Sequence, residues 1–343
     1  MTHTLRTQSL AAPGKVLWLG EYAVLSGAPA LASSVGRHVL THWTADDPPL
    51  QVESNLWQGA WAPGASDAPP QAALVQAALA ILFPGEAYPG GTLSIDSGAL
   101  GEAAKYGLGS SGAVAAGLCA LLAPAGWDDD KVTRAALDTH DRFQGGVGSG
   151  TDVLTSLHGG LVELRSRHDI RALTPPLKPY LDVALLWTGV SADSRTMVRG
   201  WWAWRDRAPR AWQDAQDQLE QLAGAGITAL RSADVPRFLD VIAHWTEVMR
   251  RVTWDSALPV INEPVSAALR AASHAGYVAK PSGAGGGDVV IAFQGSQGGR
   301  TGLAEACARE GVVLLDVDLY APGVLSQRRA HQSASGGISS TGR

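Results

Sequence analysis

The sequence has few cysteines, little charge and no long apolar run. Two cysteines in 343 residues give neither a disulfide framework nor a zinc-ligand spacing. Both lie in Ala/Leu-rich segments, and we interpret Cys119 and Cys307 as buried small side chains. The longest apolar run, about residues 113–123, is too short to span a bilayer, which takes ~20 residues. The first residues lack the apolar core of a signal peptide, so we expect a cytoplasmic protein.

The charge balance excludes some partners. Charged residues make up 17% of the chain and the net charge is -5. A nucleic-acid-binding surface is usually basic, so we expect neither nucleic acid nor membrane as a partner. A small anionic substrate is compatible with this composition, provided that positively charged side chains are concentrated at its binding site.

The order of the segments predicts an α+β protein in two lobes, with boundaries at about 1–175 and 176–326. The Pro-rich segment 174–179 is interpreted as a linker. From Gln327 the sequence is rich in Ser, Gly and Arg, which predicts a disordered tail over 327–343. Tryptophans concentrate in 201–254, and we interpret them chiefly as core residues, although a lid or a dimer contact stays open.

Glycine is abundant, with 40 residues, and three Gly/Ser loops stand out at 107–112, 145–150 and 282–287. Two of them precede predicted helices. Backbone N–H groups at the start of a helix, with only small side chains around them, form a cradle for an anion. The pattern therefore predicts a phosphate-binding site.

The loop at 107–112 matches the G-x-G-x-x-G fingerprint of dinucleotide-binding proteins, but its context does not. That fingerprint directly follows a strand, and an acidic residue ~20 positions later interacts with the ribose. Here the preceding strand ends near Ser97, and the acidic run 128–130 opens a helix. A Walker A loop is absent too, because Val16 follows Gly14-Lys15. NAD and P-loop proteins are therefore disfavoured.

Four motifs occur in an order that is typical of one family. "APGKVLWLGEYAVLSGAPAL" (12–31), "KYGLGSSGAVAAG" (105–117), "VGSGTDV" (147–153) and "KPSGAGGGDVVIAF" (280–293) resemble the motifs of the GHMP kinase superfamily. The resemblance implies a ribosomal-protein-S5-like N-terminal lobe and a ferredoxin-like C-terminal lobe. It also implies that ATP and Mg²⁺ bind between them for phosphoryl transfer to a small molecule.

Details within these motifs resemble phosphomevalonate kinases. Tyr22 stands where mevalonate kinases have His, and Lys280-Pro281-Ser282 and the segment "LWTGVSADSRTMV" (186–198) are also similar. The resemblance implies that the acceptor is (R)-5-phosphomevalonate, in the mevalonate route to isoprenoids. Mevalonate kinase, another small-molecule kinase, or a non-catalytic binder on the same fold stay as alternatives. Whether the protein is a monomer or a homodimer is left open.

The resemblance also implies roles for individual residues. Lys15 and Asp152 are the expected catalytic residues, with a surface lysine and a helix N-cap as the alternatives. Mg²⁺ is expected at Ser111 and Asp141. The expected ATP-binding residues are Lys105, Gly107, Leu108, Gly109, Ser110, Ser111 and Gly112. The expected substrate-binding residues are Lys15, Glu21, Tyr22, Lys105, Ser149, Gly150, Ser191, Arg195, Lys280, Ser282, Gly283, Ala284 and Gly285.

Two further residues near these motifs have no settled role. Asp288 closes the third glycine loop and could ligate or cap. His140 is interpreted as a helix residue near the site and not as an acid–base group.

Overall fold

A computed structural model describes residues 7–46, 49–66, 68–85, 87–101, 105–146, 148–166, 169–173, 180–295 and 300–336. The expected linker at 174–179, Val147 of the motif at 147–153 and the end of the expected tail, 337–343, lie outside these residues.

The first sheet is built around one long strand. Its strands are β1 (Gln8–Leu19), β2 (Ala30–Ala45), β3 (Leu50–Ser54), β4 (Gly91–Asp96), β5 (Leu161–Ser166) and β6 (Asp169–Leu173). Their order is β3-β4-β2-β5-β6, and β1 pairs with β2 as an antiparallel neighbour. The register of β1 on β2 shifts between Pro13 and Gly14, directly before Lys15.

Four helices accompany this sheet: α1 (Ala73–Leu82), α2 (Ser110–Leu122), α3 (Asp129–Gln144) and α4 (Thr151–His158). Helix α2 is central, because it packs against β1, β2 and the other three helices. Its residues from Gly112 to Leu122 are all buried, and small Gly and Ala side chains let so many neighbours approach closely. The first turns of α2 and α4 are thereby fixed near the start of β1.

The second sheet is antiparallel and has the order β10-β7-β9-β8. Its strands are β7 (Leu181–Trp187), β8 (Val278–Pro281), β9 (Val289–Gly295) and β10 (Val313–Leu315). The accompanying helices are α5 (Ser194–Arg207), α6 (Pro209–Arg231), α7 (Val235–Ser256), α8 (Glu263–His274) and α9 (Arg300–Glu310). Trp201, Trp204 and Trp245 are fully buried, in keeping with the core interpretation of these tryptophans, whereas Trp254 is 88% exposed.

The C-terminal segment returns to the first sheet, which the sequence does not predict. Leu319 forms a bridge to Val35 of β2, and helix α10 (Val324–Gly336) follows. The Gln327 side chain donates to the Ala11 carbonyl at 2.7 Å and accepts from the Ala11 N–H at 3.0 Å. The predicted disorder is therefore wrong for residues 327–336. Residues 319–326, expected in the C-terminal lobe, contact the N-terminal one.

Among the described residues, no helix is both long enough and apolar enough to cross a membrane.

Candidate active site

A cleft of about 1100 Å³ lies between the start of α2 and the loops of the second sheet. It collects residues from all four motifs, although they are far apart in the sequence. The predicted site residues that line it are Lys15, Glu21, Tyr22, Lys105, Gly107, Gly109, Ser110, Ser111, Ser149, Asp152, Arg195, Gly283 and Ala284.

Two of the helices that start at this cleft have glycine N-caps. Gly109 precedes α2 with φ 76° and Gly150 precedes α4 with φ 78°, and neither offers a capping side chain. Ser110, Ser111 and Asp152 lie inside the first turns, so the N-cap alternative for these residues is wrong. The first amides of α2 and the positive end of its dipole are thus available to an anion in the cleft.

Lys15 and Asp152 both lie beside the N-terminus of α2, where the glycines leave little room for a larger side chain. A Cβ atom on Gly109 would lie 3.0 Å from Lys15 Cγ and 3.4 Å from Asp152 Cβ. On Gly112 it would lie 2.8 Å from Asp152 Cβ. The Lys15 N–H donates to the Leu108 carbonyl at 2.8 Å, which ties β1 to the glycine loop. An ammonium and a carboxylate are therefore held at the place where the helix favours an anion.

Behind these groups lies His140 of α3, which is buried. Its Nε2 is 3.0 Å from Ser111 Oγ and 3.4 Å from Asp152 Oδ2. The neighbouring Asp141 is not among the described residues that line the cleft, and its assignment as a metal ligand stays a prediction. Successive helix positions are about 100° apart, and it is His140 that reaches Ser111 and Asp152.

The described residues contain no cluster of three or more His, Cys, Asp or Glu side chains that could hold a metal ion. Mg²⁺ with a nucleotide does not require one, because the ion keeps several waters and binds one or two carboxylates together with phosphates. Ser111 Oγ and Asp152 Oδ2 both approach His140 Nε2, so a hydroxyl and a carboxylate converge at the cleft. This donor set fits such an ion.

A buried ion pair joins the two lobes beside the cleft. Lys280 Nζ donates to Glu21 Oε1 and, at 2.8 Å, to the Pro281 carbonyl, and Lys280 is fully buried. The Gly283 N–H donates to the same Glu21 oxygen at 3.3 Å. Burial raises the pKa of Glu21 and lowers that of Lys280, and each charge opposes the shift of the other. The predicted substrate contact of Lys280 is therefore wrong, and its role here is structural.

Three more contacts cross between the lobes at this point. Tyr22 donates its hydroxyl to the Ala284 carbonyl at 2.5 Å and stacks on Trp201. Ser282 Oγ accepts from the Leu17 N–H at 2.9 Å. These bonds fix the 282–285 loop over the start of β1. Gly283 and Ala284 line the cleft, whereas Ser282 and Gly285 support the loop from behind.

Asp288 joins three loops at the opposite wall of the cleft. Its backbone has φ 56°, and its Oδ1 accepts from the Ala192 N–H at 3.1 Å. A Cβ atom on Gly107 would lie 2.5 Å from Asp288 Oδ2. Burial raises the pKa of Asp288, opposed in part by Lys15 and Lys105. Ser191 donates to the Lys105 carbonyl at 2.9 Å and is not a described lining residue, so its predicted substrate contact becomes a contact between loops.

Comparison with known proteins agrees with this arrangement. The family model of the GHMP kinases N terminal domain matches residues 73–160, and that of GHMP kinases C terminal matches residues 242–310. The first match spans α1 to α4 and the second spans most of α7 to α9. In both of these segments the chain is similar to the GHMP kinases.

Proteins to which this chain is similar include a phosphomevalonate kinase of Streptomyces sp. (strain CL190). It is 29% identical over 352 residues, which cover 88% of this chain and 93% of the relative. The crystal structure of a Lin0012 protein from Listeria innocua has a TM-score of 0.82 at 20% identity and covers 91% of this chain and 97% of its own. Streptococcus pneumoniae phosphomevalonate kinase in complex with phosphomevalonate and AMPPNP has a TM-score of 0.74 at 20% identity, covering 91% and 99%. The expected two-lobed α+β fold is confirmed.

The cleft also contains residues that the sequence does not single out. Arg142 and Gln144 come from the last turn of α3. An apolar wall is formed by Leu56, Trp57, Pro70, Leu74, Ile95 and Leu100. This wall comes partly from the Pro/Gly-rich segment 46–70, which has no apolar periodicity. The basic side chain of Arg142, directly after His140-Asp141, is the one sequence signal that could have been used.

Proposed function

We propose that this enzyme transfers the γ-phosphoryl group of ATP to (R)-5-phosphomevalonate, with (R)-5-diphosphomevalonate and ADP as products. The observation that carries the proposal is that Lys15 and Asp152 both flank Gly109 at the uncapped start of α2. Such an arrangement supplies the positioning and charge neutralisation on which phosphoryl transfer chiefly depends. The acceptor assignment is supported by the relatives that are phosphomevalonate kinases.

We infer that ATP binds in the cleft with its phosphates at the start of α2 and its base at the apolar wall. Its phosphates accept hydrogen bonds from the first amides of α2 and from the Ser110 and Ser111 hydroxyls. Its base packs on the apolar wall defined above, since ligand pockets combine an apolar lining with a few placed polar groups. The γ-phosphoryl group then lies near Lys15, which lines the same cleft as the serines.

The acceptor carries a carboxylate and a phosphate, so it needs several cations. Lys105, Arg142 and Arg195 line the cleft, and Lys105 and Arg195 are exposed to solvent. Their charges complement the two anionic groups, and the guanidinium fork of arginine suits both. Mevalonate has no phosphate, so it would leave part of this positive charge unpaired. The arrangement therefore favours the phosphorylated acceptor.

In the transfer step, an oxygen of the acceptor phosphate forms a bond to the γ-phosphorus. The bond between that phosphorus and the bridging oxygen of ADP breaks, and ADP leaves with the electron pair. The attacking oxygen is largely ionised at neutral pH, because the second pKa of a phosphate is about 6. Asp152 is therefore proposed to orient Lys15 and the acceptor, and Lys15 to stabilise the charge of the transferring group.

We further propose that Ser111 and Asp152 hold Mg²⁺ together with the ATP phosphates. When bound, the ion supplies neutralisation of the phosphate charge. The cytoplasm is retained as the proposed compartment, supported by the two free, buried cysteines.

An ADP-release assay with phosphomevalonate and mevalonate as alternative acceptors tests the proposal. We expect turnover with phosphomevalonate and little or none with mevalonate. The variants Lys15→Met and Asp152→Asn should each lose most activity while folding normally. Turnover of mevalonate alone would overturn the acceptor assignment, and unchanged activity in both variants would overturn the mechanism.

A further inference from the structure

His140 is the one buried titratable side chain that touches both Ser111 and Asp152, among the residues whose positions are described. It lies on α3, whereas its two partners lie on α2 and α4. Its ring therefore connects the three helices that carry the site. Nothing in the proposed mechanism uses it directly.

The location of its proton follows from its surroundings. Nε2 lies 3.4 Å from Asp152 Oδ2, where an N–H group is attracted by the carboxylate and a nitrogen lone pair is repelled. Nδ1 is buried, and none of the described residues forms a hydrogen bond with it. A proton there would be a buried donor without a partner, which is rarely tolerated. Both facts favour the tautomer that carries its proton on Nε2.

This tautomer defines the state of Ser111. The Nε2–H group donates to Ser111 Oγ at 3.0 Å, so the serine accepts and its own hydrogen is not used by the histidine. Ser111 is in the first turn of α2 and lines the cleft. Its hydroxyl hydrogen is thus free to be donated to an anion bound there.

We propose that His140 is a positioning residue whose Nε2–H group fixes Ser111 Oγ and Asp152 Oδ2 in one arrangement and leaves the serine hydroxyl to donate to a nucleotide phosphate. The part about the nucleotide rests on the proposed function. The part about the tautomer concerns the free protein and does not.

The tautomer is measured by long-range ¹H–¹⁵N correlation NMR on the free, ¹⁵N-histidine-labelled protein, with His140→Gln as the assignment reference. We expect one protonated nitrogen, Nε2. Ser111→Ala should shift the His140 ring signals, whereas Ser110→Ala, its matched control, should not. A proton on Nδ1, alone or together with Nε2, would overturn the proposal, and so would equal effects of the two serine variants.

Steady-state kinetics separates positioning from simple packing. Removal of a residue that orients a ligating group typically costs 10–100-fold in activity, so His140→Leu should lower kcat by about that factor with KM for the acceptor nearly unchanged. His140→Gln keeps an N–H donor at similar reach and should recover much of the loss. His244→Leu, at an exposed position of α7, serves as the control. Equal losses in the Leu and Gln variants would show that His140 only fills space.

The NMR and activity measurements together distinguish a failure of this inference from a failure of the proposed function. A proton on Nε2 in a protein that phosphorylates neither acceptor would contradict the proposed function and leave the geometry intact. An active enzyme with its proton on Nδ1 would contradict this inference alone.

Discussion

The buried pair of Glu21 and Lys280 gives a sharp prediction about stability. Lys280→Met keeps roughly the length and the apolar stem of the side chain and removes the charge together with the hydrogen bonds to Glu21 and the Pro281 carbonyl. Glu21 would then retain one hydrogen bond, from the Gly283 N–H. Its second oxygen, Oε2, is already buried without a hydrogen bond from any described residue. The carboxylate would therefore be an uncompensated charge inside the interface between the lobes.

Removing one partner of a buried ion pair typically costs about 3–5 kcal/mol. That loss is a large share of the ~5–15 kcal/mol by which native proteins are stable. Replacing both partners removes the buried charge, so the double variant Glu21→Gln/Lys280→Met should regain most of the loss. Lys131→Met, which makes the same change at an exposed lysine of α3, is the control. Its free energy of unfolding should stay within ~0.5 kcal/mol of that of the parent protein.

The loss should also depend on pH. Without Lys280, burial raises the folded-state pKa of Glu21 above the unfolded value, opposed by backbone hydrogen bonds such as the one from Gly283. Below the unfolded pKa, near 4.3, the carboxyl is neutral in both states and no penalty arises. As the pH rises towards the folded pKa, only the unfolded chain ionises, so stability falls. The deficit of Lys280→Met relative to Lys131→Met should therefore be larger at pH 8 than at pH 5.

Urea unfolding followed by tryptophan fluorescence measures these differences. A loss below ~1 kcal/mol for Lys280→Met would refute the reasoning, since such a value is typical of exposed pairs. A double variant as unstable as the single one would refute it too.

Two further predictions concern packing at the site and at the C-terminus. Gly112→Ala would place a Cβ atom 2.8 Å from Asp152 Cβ, so we expect kcat to fall by at least ~10-fold. Gly224→Ala in α6 is the control, because no atom lies within 4 Å of the new Cβ. This variant should keep its activity, and its free energy of unfolding should rise by up to ~1 kcal/mol. Gln327→Ala would leave both polar groups of the Ala11 backbone without the Gln327 side chain as partner, so the Tm of this variant should fall. Gln213→Ala, at an exposed position of α6, should leave Tm unchanged. A larger effect of the control than of the test variant, in either experiment, would contradict the contacts described.

The sequence was sufficient for the parts of the site that are encoded locally. Glycine loops before helices predicted the anion cradle at Gly109 and Ser110, since that geometry depends on a few adjacent residues. Asp152 was assigned from the family resemblance. The family resemblance then supplied the two-lobed fold, because its motifs have a fixed order.

Contacts between distant segments could not be predicted in this way. Glu21 and Lys280 are 259 positions apart, and no local pattern shows that the lysine is buried instead of facing a ligand. The choice between His140 and Asp141 depends on the rotation of α3 by one position, which the tertiary packing decides. For α10, the polar composition suggested disorder, but Val324 and Leu325 are buried and Gln327 bonds to β1.

The central claim is that Lys15, Asp152 and the start of α2 transfer a phosphoryl group to an acceptor that already carries a phosphate. Phosphorus NMR of the reaction mixture tests it directly. With ATP, Mg²⁺ and phosphomevalonate, we predict that the acceptor's single phosphorus signal disappears and that two coupled signals of a diphosphate ester appear as ADP forms. A mixture that yields ADP and inorganic phosphate without the coupled pair, or a product phosphorylated only when mevalonate is supplied, would contradict the account.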